Sequence, residues 1–200
     1  MKAVMKSVSP RICEKVANGN CTILVSKTVP KCGAPFKGYI YCTSAKPYLY
    51  KEANPPFELF LDSELYKGKG YDDRLFSSKV IGEFVCDWIT KITPHCDIDG
   101  CVNQYIHGYP AILGDNDCLS FNDMKAYLGN KKGYDWHISD LKIYDKPKEL
   151  SEFYRPCSYS GICYSCNRFR PNGTPNDKPN DFCDGEITRP PQGWCYVEEL

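Results

Sequence analysis

The residues best equipped for chemistry are cysteines near the C-terminal end of the chain. "CSYSGICYSC" supplies Cys157, Cys163 and Cys166, and "NDFC" supplies Cys183, giving the pattern C-x5-C-x2-C-x16-C. Four thiolates suit a tetrahedral zinc ion, and C-x2-C is ordinary knuckle spacing. With all four positions filled by protein, such a zinc is structural and keeps no open place for water. The tract has too few apolar residues to order itself, so a metal gives a reason for its folding. An iron–sulfur cluster or four free thiols are the alternatives. A second group, His95, Cys96, Cys101 and His107, holds ligand-type residues at no familiar spacing. Ordinary loop residues are the plainer reading there.

Two further stretches carry reactive types. "GNCTILVSK" places Cys21, Thr22, Ser26 and Lys27 on a strand that follows a helix and a tight turn. Cys21 as a thiolate is a candidate nucleophile, although no neighbour in sequence lowers its pKa. A passive thiol is the simpler alternative. Glu83, inside the apolar run "KVIGEFVCD", must be paired or face something polar.

The elements that position these groups follow from local patterning. Ser9-Pro10 starts a helix whose apolar face is Ile12, Cys13 and Val16, and Gly19 ends it. The stretch from Ser7 to Asn20 reads as one helical unit. Strands are expected at "CTILVSK", "FKGYIYCT", "KVIGEFVCDWITKI" with a bulge at Gly82, "YDWHISDLKIYDKPKEL" as far as Pro147, and "GWCYVEEL". Residues 51–78 read as a long excursion and 94–118 as irregular. Ser120 caps a short helix stopped by Gly129, with Asp123 completing a capping box. Short strands with two helices imply an α+β, mainly β fold, a small curled barrel with flanking helices and a cysteine-rich zinc insertion. The expected division is a barrel of residues 1–156 plus 186–200, and an insertion of residues 157–185.

Two hundred residues are enough for a real core. No stretch approaches the roughly 18 apolar residues of a membrane span, and "MKAVMKSVSPRIC" lacks the apolar segment of a secretory signal. The expectation is a cytoplasmic protein in which most of the thirteen cysteines are thiols or metal ligands. Cys13, Cys42, Cys86 and Cys195 lie in apolar runs and read as small core residues. Net charge is zero, yet residues 1–51 carry nine Lys/Arg against the single acid Glu14. That asymmetry can attract a phosphate-bearing partner to one end of the fold, or the two segments can neutralise each other.

The pieces "MKSVSPRICEKVANGNCTILVSKTVPK", "GYIYCT", "KVIGEFVCD", "YDWHISDLKIYDKPKELSEF" and "RPPQGWCYVEEL" together resemble the ASCH family of the PUA-like superfamily. The resemblance covers about residues 1–156 and 187–200, and is greatest to a subgroup of Gram-positive bacteria and their phages. It implies a barrel that binds RNA or a nucleotide-sized ligand such as a modified nucleoside. One bacterial branch hydrolyses N4-acetylcytidine with a Lys, a Thr and a Glu. The family pattern Gly-x-Lys-x-x-Glu/Thr-x-Arg keeps its glycine here at Gly19. Cys21 stands for the Lys, Leu24 for the Glu/Thr and Ser26 for the Arg, while Glu83 matches the later acid. The resemblance therefore implies a pocket lined by Ser7, Ser26, Lys27, Glu83, Trp136, His137 and Ser139, with core roles for Trp136 and His137 as the alternative. Glu83 and Cys21 are the catalytic candidates. Without the Lys and Arg, little positive charge faces a developing oxyanion. The leading expectation is a binding module. A hydrolase of modified nucleosides or RNA, and a phage-type module whose zinc insertion contacts a protein partner, are the alternatives.

Overall fold

Along the first strand, Val4, Lys6 and Val8 alternate with Ala3, Met5 and Ser7, and both sets except Ser7 are buried. A strand covered on both faces belongs in the middle of a sheet. In the computed structural model the described residues are 2–44, 48–51, 58–61, 75–108, 118–156, 161–163, 168–170, 185 and 187–200. In chain order they form β1 (Lys2–Val8), α1 (Pro10–Ala17), β2 (Ile23–Ser26), β3 (Phe36–Cys42), β4 (Tyr48–Lys51), β5 (Glu58–Leu61), β6 (Lys79–Cys96) and β7 (Val102–His107). There follow α2 (Phe121–Leu128), β8 (Gly133–Glu149), a single 3-10 turn (Leu150–Glu152), β9 (Gly161–Cys163), β10 (Arg168–Arg170) and β11 (Trp194–Glu198). No helix among them is long and apolar enough to cross a membrane.

The protein is mostly β, with two α-helices among the described residues. The main sheet has seven strands in the order β11-β1-β3-β6-β8-β2, with β7 also paired to β6. β1 and β3 run parallel, and the other pairs are antiparallel. β4–β5 and β9–β10 form separate two-stranded pieces. Among the described residues no ladder joins β2 to β11, so the sheet is open rather than the closed barrel expected. Side chains bridge that seam instead. Trp194 Nε1 donates to Thr28 Oγ1 at 2.8 Å, and the Cys32 amide donates to the Tyr196 hydroxyl at 3.2 Å.

Three apolar clusters hold the layers. On one face Val4, Val8, Leu24, Ile40, Phe84 and Trp136 pack with Cys13 and Val16 of α1. On the other, Ala3, Met5, Tyr39 and Val80 are covered by Phe153 and Ile187. Met124 and Leu128 of α2 pack on Val25, Ile92, Val102 and Tyr105. Cys13, Cys42 and Cys86 are buried thiols and Cys195 is half-buried, as their apolar contexts suggest. Burial pushes the Cys86 thiol up to about 12 and Cys195 up to about 11, which keeps both protonated and inert. Among the described residues one pair is bonded: Cys21 is joined to Cys118 across 97 residues, with Cα atoms 5.1 Å apart.

Three local expectations are corrected. Ser7 and Val8 end β1 rather than opening the helix, because Pro10 can only enter a helix at its start. β8 continues beyond Pro147, which lies between the pairs Val80↔Lys148 and Gly82↔Ile143, where the ladder is interrupted. A proline is tolerated there because no ladder N–H is required. Residues 94–107 are a hairpin rather than irregular chain, since β6 runs on to Cys96 and pairs with β7. The Gly82 bulge, the Ser120 cap and the Gly129 stop at φ 63° appear as read.

Gly38 sits directly over a ring: a Cβ there would lie 2.3 Å from Phe84 Cζ. Gly38→Ala should therefore destabilise the fold by about 1–3 kcal/mol, the usual cost of overpacking a core. Urea unfolding measures it, and a neutral substitution would show that β3 and β6 pack less closely than described.

Candidate functional site

Lys6 is in phase with Val4 and Val8, so β1 delivers an ammonium to the apolar face of the sheet. It is 3 % exposed. Its Nζ donates to Ser26 Oγ at 3.0 Å, across the gap between β1 and β2, and stands 5.0 Å from the centre of the Trp136 ring. Burial lowers its pKa from 10.5 to about 8, because the charged form loses its hydration. Among the described residues Lys6 makes no ion pair with an acid.

Beside Lys6 lies a cavity of about 420 Å³, within the range of small-ligand pockets. Ser7 and Val8 of β1, Ile12 of α1 and Leu24 and Val25 of β2 form part of its wall. Cys118, Leu119 and Tyr127 close one flank, and Pro191 to Gly193 another. Ser7 Oγ donates to the Pro191 carbonyl at 2.6 Å, and Thr43 Oγ1 to the Val8 carbonyl at 3.3 Å, so both hydroxyls are committed to the backbone. Lys27 Nζ lies 4.8 Å from the centre of the Tyr127 ring. The lining contains no Asp or Glu. A compact cation in a largely apolar cavity can receive an anionic group, or act as an amine when it loses its proton.

The expected site residues separate into several places. Ser7 lines the cavity, Ser26 holds Lys6, and Lys27 reaches Tyr127. Trp136 is fully buried beneath Lys6 in the core, and its indole N–H has no partner among the described residues. Glu83 is not a lining residue. It accepts from the Tyr144 hydroxyl at 2.9 Å and pairs with Lys37 at 3.2 Å. Burial raises its pKa, but the bonds from Tyr144 and Lys37 outweigh that and leave it below the ordinary value. His137 stacks on Trp88, with ring centres 4.6 Å apart, and its Nδ1 is 2.6 Å from Asp87 Oδ1. Ser139 donates to the Val85 carbonyl at 3.2 Å. Cys21 is 1 % exposed and bonded to Cys118, so it presents no thiolate in this state.

His95, Cys96, Cys101 and His107 do not converge. Cys96 and Cys101 flank the hairpin turn, whereas His107 is opposite Ile92 and bonds Asp135 at 2.5 Å. No group of three or more metal-ligand residues forms among the described residues. The thiols of Cys157, Cys163, Cys166 and Cys183 lie outside the described residues.

Sequence reasoning missed Lys6. The signal was its phase with Val4 and Val8, which marks it as an inward cation. Reading β2 alone, Ser26 counted as a neutral position. The fold returns a charge to that place from β1.

Three crystal structures of ASCH from Zymomonas mobilis are similar to this chain. One shows 15 % identity over 74 % of this chain and 73 % of that one, with a TM-score of 0.44. A single-residue variant gives 14 %, 75 % and 77 %, at 0.44, and another 13 %, 98 % and 89 %, at 0.48. No protein-family model and no curated protein matches the sequence.

Lys6 also sets a pH dependence. Its folded pKa of about 8 lies below the ordinary 10.5, so between those values the unfolded chain binds more protons and stability rises with pH. Below about 8 the whole penalty, up to about 3 kcal/mol, weighs on the folded state. Lys6→Met should be the more stable protein at pH 7, with the difference shrinking towards pH 10. Denaturant unfolding across that range measures it, and a pH-independent difference would show that Lys6 is not desolvated.

Proposed function

We propose that this protein is an ASCH/PUA-like module that binds RNA, or a nucleotide-sized ligand, in the cavity beside Lys6. The observation that carries the reading is a buried ammonium without an acid partner among the described residues, at the wall of a cavity of about 420 Å³. An entering phosphate or other anionic group replaces the hydration that Lys6 lost, and so favours its charged form. Tyr127 offers an aromatic surface, and base–aromatic stacking contributes about 1–3 kcal/mol. The excess of Lys and Arg in residues 1–51 supports a polyanionic partner. The motifs quoted above support the family reading.

Binding is favoured over hydrolysis for two reasons. The cavity lining lacks a carboxylate to act as a base, and Cys21 is held in its bond to Cys118. Negligible turnover of N4-acetylcytidine is therefore expected. A structural zinc held by Cys157, Cys163, Cys166 and Cys183 remains part of the proposal on its spacing. Elemental analysis should find about one zinc per chain, released by Cys166→Ser.

The deciding experiment is titration of the protein with short single-stranded RNA and with nucleoside monophosphates. Affinity should be highest below pH 8 and fall above it, as Lys6 loses its proton. Lys6→Met should weaken binding by roughly tenfold or more, the scale of a charge-assisted hydrogen bond. Replacing Lys27 and Lys31 by Gln should lower both the RNA affinity and its dependence on salt. Binding indifferent to Lys6 and to salt would overturn the reading and favour a protein partner.

A further inference from the structure

We infer that Cys21 and Cys118 form a reversible redox pair that controls access to the cavity, with a low-molecular-weight disulfide as the oxidant. The inference rests on the reading of this cavity as the binding site. Both residues are buried, at 1 % and 3 % exposure, and their Cα atoms are 5.1 Å apart, within the span of a disulfide. The two cysteines differ in access, for Cys118 lines the cavity whereas Cys21 does not. A small thiol reagent therefore reaches Cys118 through the same space that a ligand would occupy.

The bond joins two walls. Cys21 lies just before β2, whose Leu24 and Val25 line the cavity. Cys118 lies just before α2, and Leu119 and Tyr127 of that flank line it from the other side. The distal end of α2 is held separately, by Met124 and Leu128 in their apolar cluster and by the Tyr105 hydroxyl on the Gly129 carbonyl. At the proximal end, Lys15 Nζ donates to the Cys118 carbonyl at 3.0 Å, and Arg11 approaches Asp123 at 4.0 Å on the surface. Opening the disulfide thus loosens mainly the proximal end, which keeps the Lys15 and Arg11 contacts and the packing of Leu119 and Phe121, because two thiols in van der Waals contact need more room than a bonded pair.

The exchange balances. The Cys118 thiolate attacks one sulfur of the small disulfide and expels a thiol. The Cys21 sulfur then attacks Cys118 in the mixed disulfide and expels the second. The two cysteines lose two electrons and two protons, and the small disulfide becomes two thiols. A ligand that binds the open state more tightly than the bonded one favours reduction to the same degree that reduction favours binding, and an occupied cavity also slows exchange by blocking the route to Cys118.

The test needs no ligand. Intact protein is equilibrated with oxidised glutathione or with dithiothreitol, freed of reagent, and reductively methylated with formaldehyde and cyanoborohydride. Mass spectrometry then reads the Cys21–Cys118 bond and the labelling rate of Lys6. The bond should form and open in the folded protein, and Lys6 should label about fivefold or more faster when it is open, the lower end of ordinary coupling between sites. Cys21→Ser plus Cys118→Ser should label at the fast rate under both conditions. If that variant does not fold, the unaltered protein in its two redox states carries the test. A bond that never forms, one that opens only on unfolding, or equal labelling in both states would overturn the inference. A protein that switches but binds no nucleotide would refute the proposed function and leave the switch standing, whereas nucleotide binding with unresponsive labelling would do the reverse.

Discussion

A lysine ammonium from β1 rests on a serine hydroxyl of β2, joining two strands that are not ladder partners among the described residues. An ammonium is hard to keep out of water without a carboxylate, and the fold meets that constraint with a hydroxyl, an aromatic ring and an adjoining cavity. Had the sheet closed by pairing its edge strands, the seam would have been filled with backbone bonds. Instead the edges approach through Trp194 to Thr28 and Tyr196 to Cys32. The cavity and the shifted lysine are two aspects of one arrangement.

The scattering of the other polar candidates follows from strand alternation. Glu83 neighbours Phe84, whose ring lies in the cluster with Trp136, so the two side chains take opposite faces of β6. Glu83 meets Lys37 and Tyr144, and becomes a paired, partly buried carboxylate away from the cavity lining. His137 and Trp136 are likewise adjacent on β8, so one joins Asp87 and Trp88 while the other enters the core. Asp135 is buried against His107 and Thr90, which ties the β6–β7 hairpin to β8. These pairs account for polar groups inside strands without assigning them to the cavity.

Much of the fold was written locally. Pro10 after Ser9, the apolar phase of Cys13 and Val16, the Ser120 cap and the positive-φ glycines at 19 and 129 set both helices and their ends. The β-branched and aromatic runs of β3, β6 and β11 identified those strands. Glu83's need for a polar partner was also legible, and a core role for Trp136 stood as the alternative to a pocket role, because each depends on the residue's own burial cost.

What the sequence could not decide was which strands meet. Lys6 and Ser26 are twenty residues apart, and Cys21 and Cys118 ninety-seven, so neither contact leaves a mark on local pattern. Propensity and periodicity describe a strand's two faces but not its neighbours. Sheet order, register and the unpaired seam arise from packing of the whole chain. Composition along the chain determined that there would be a small, mainly β protein with a basic first quarter. Only the tertiary structure put a cation from β1 in the place that β2 had left neutral, because burial against a distant strand is a property of neither strand alone.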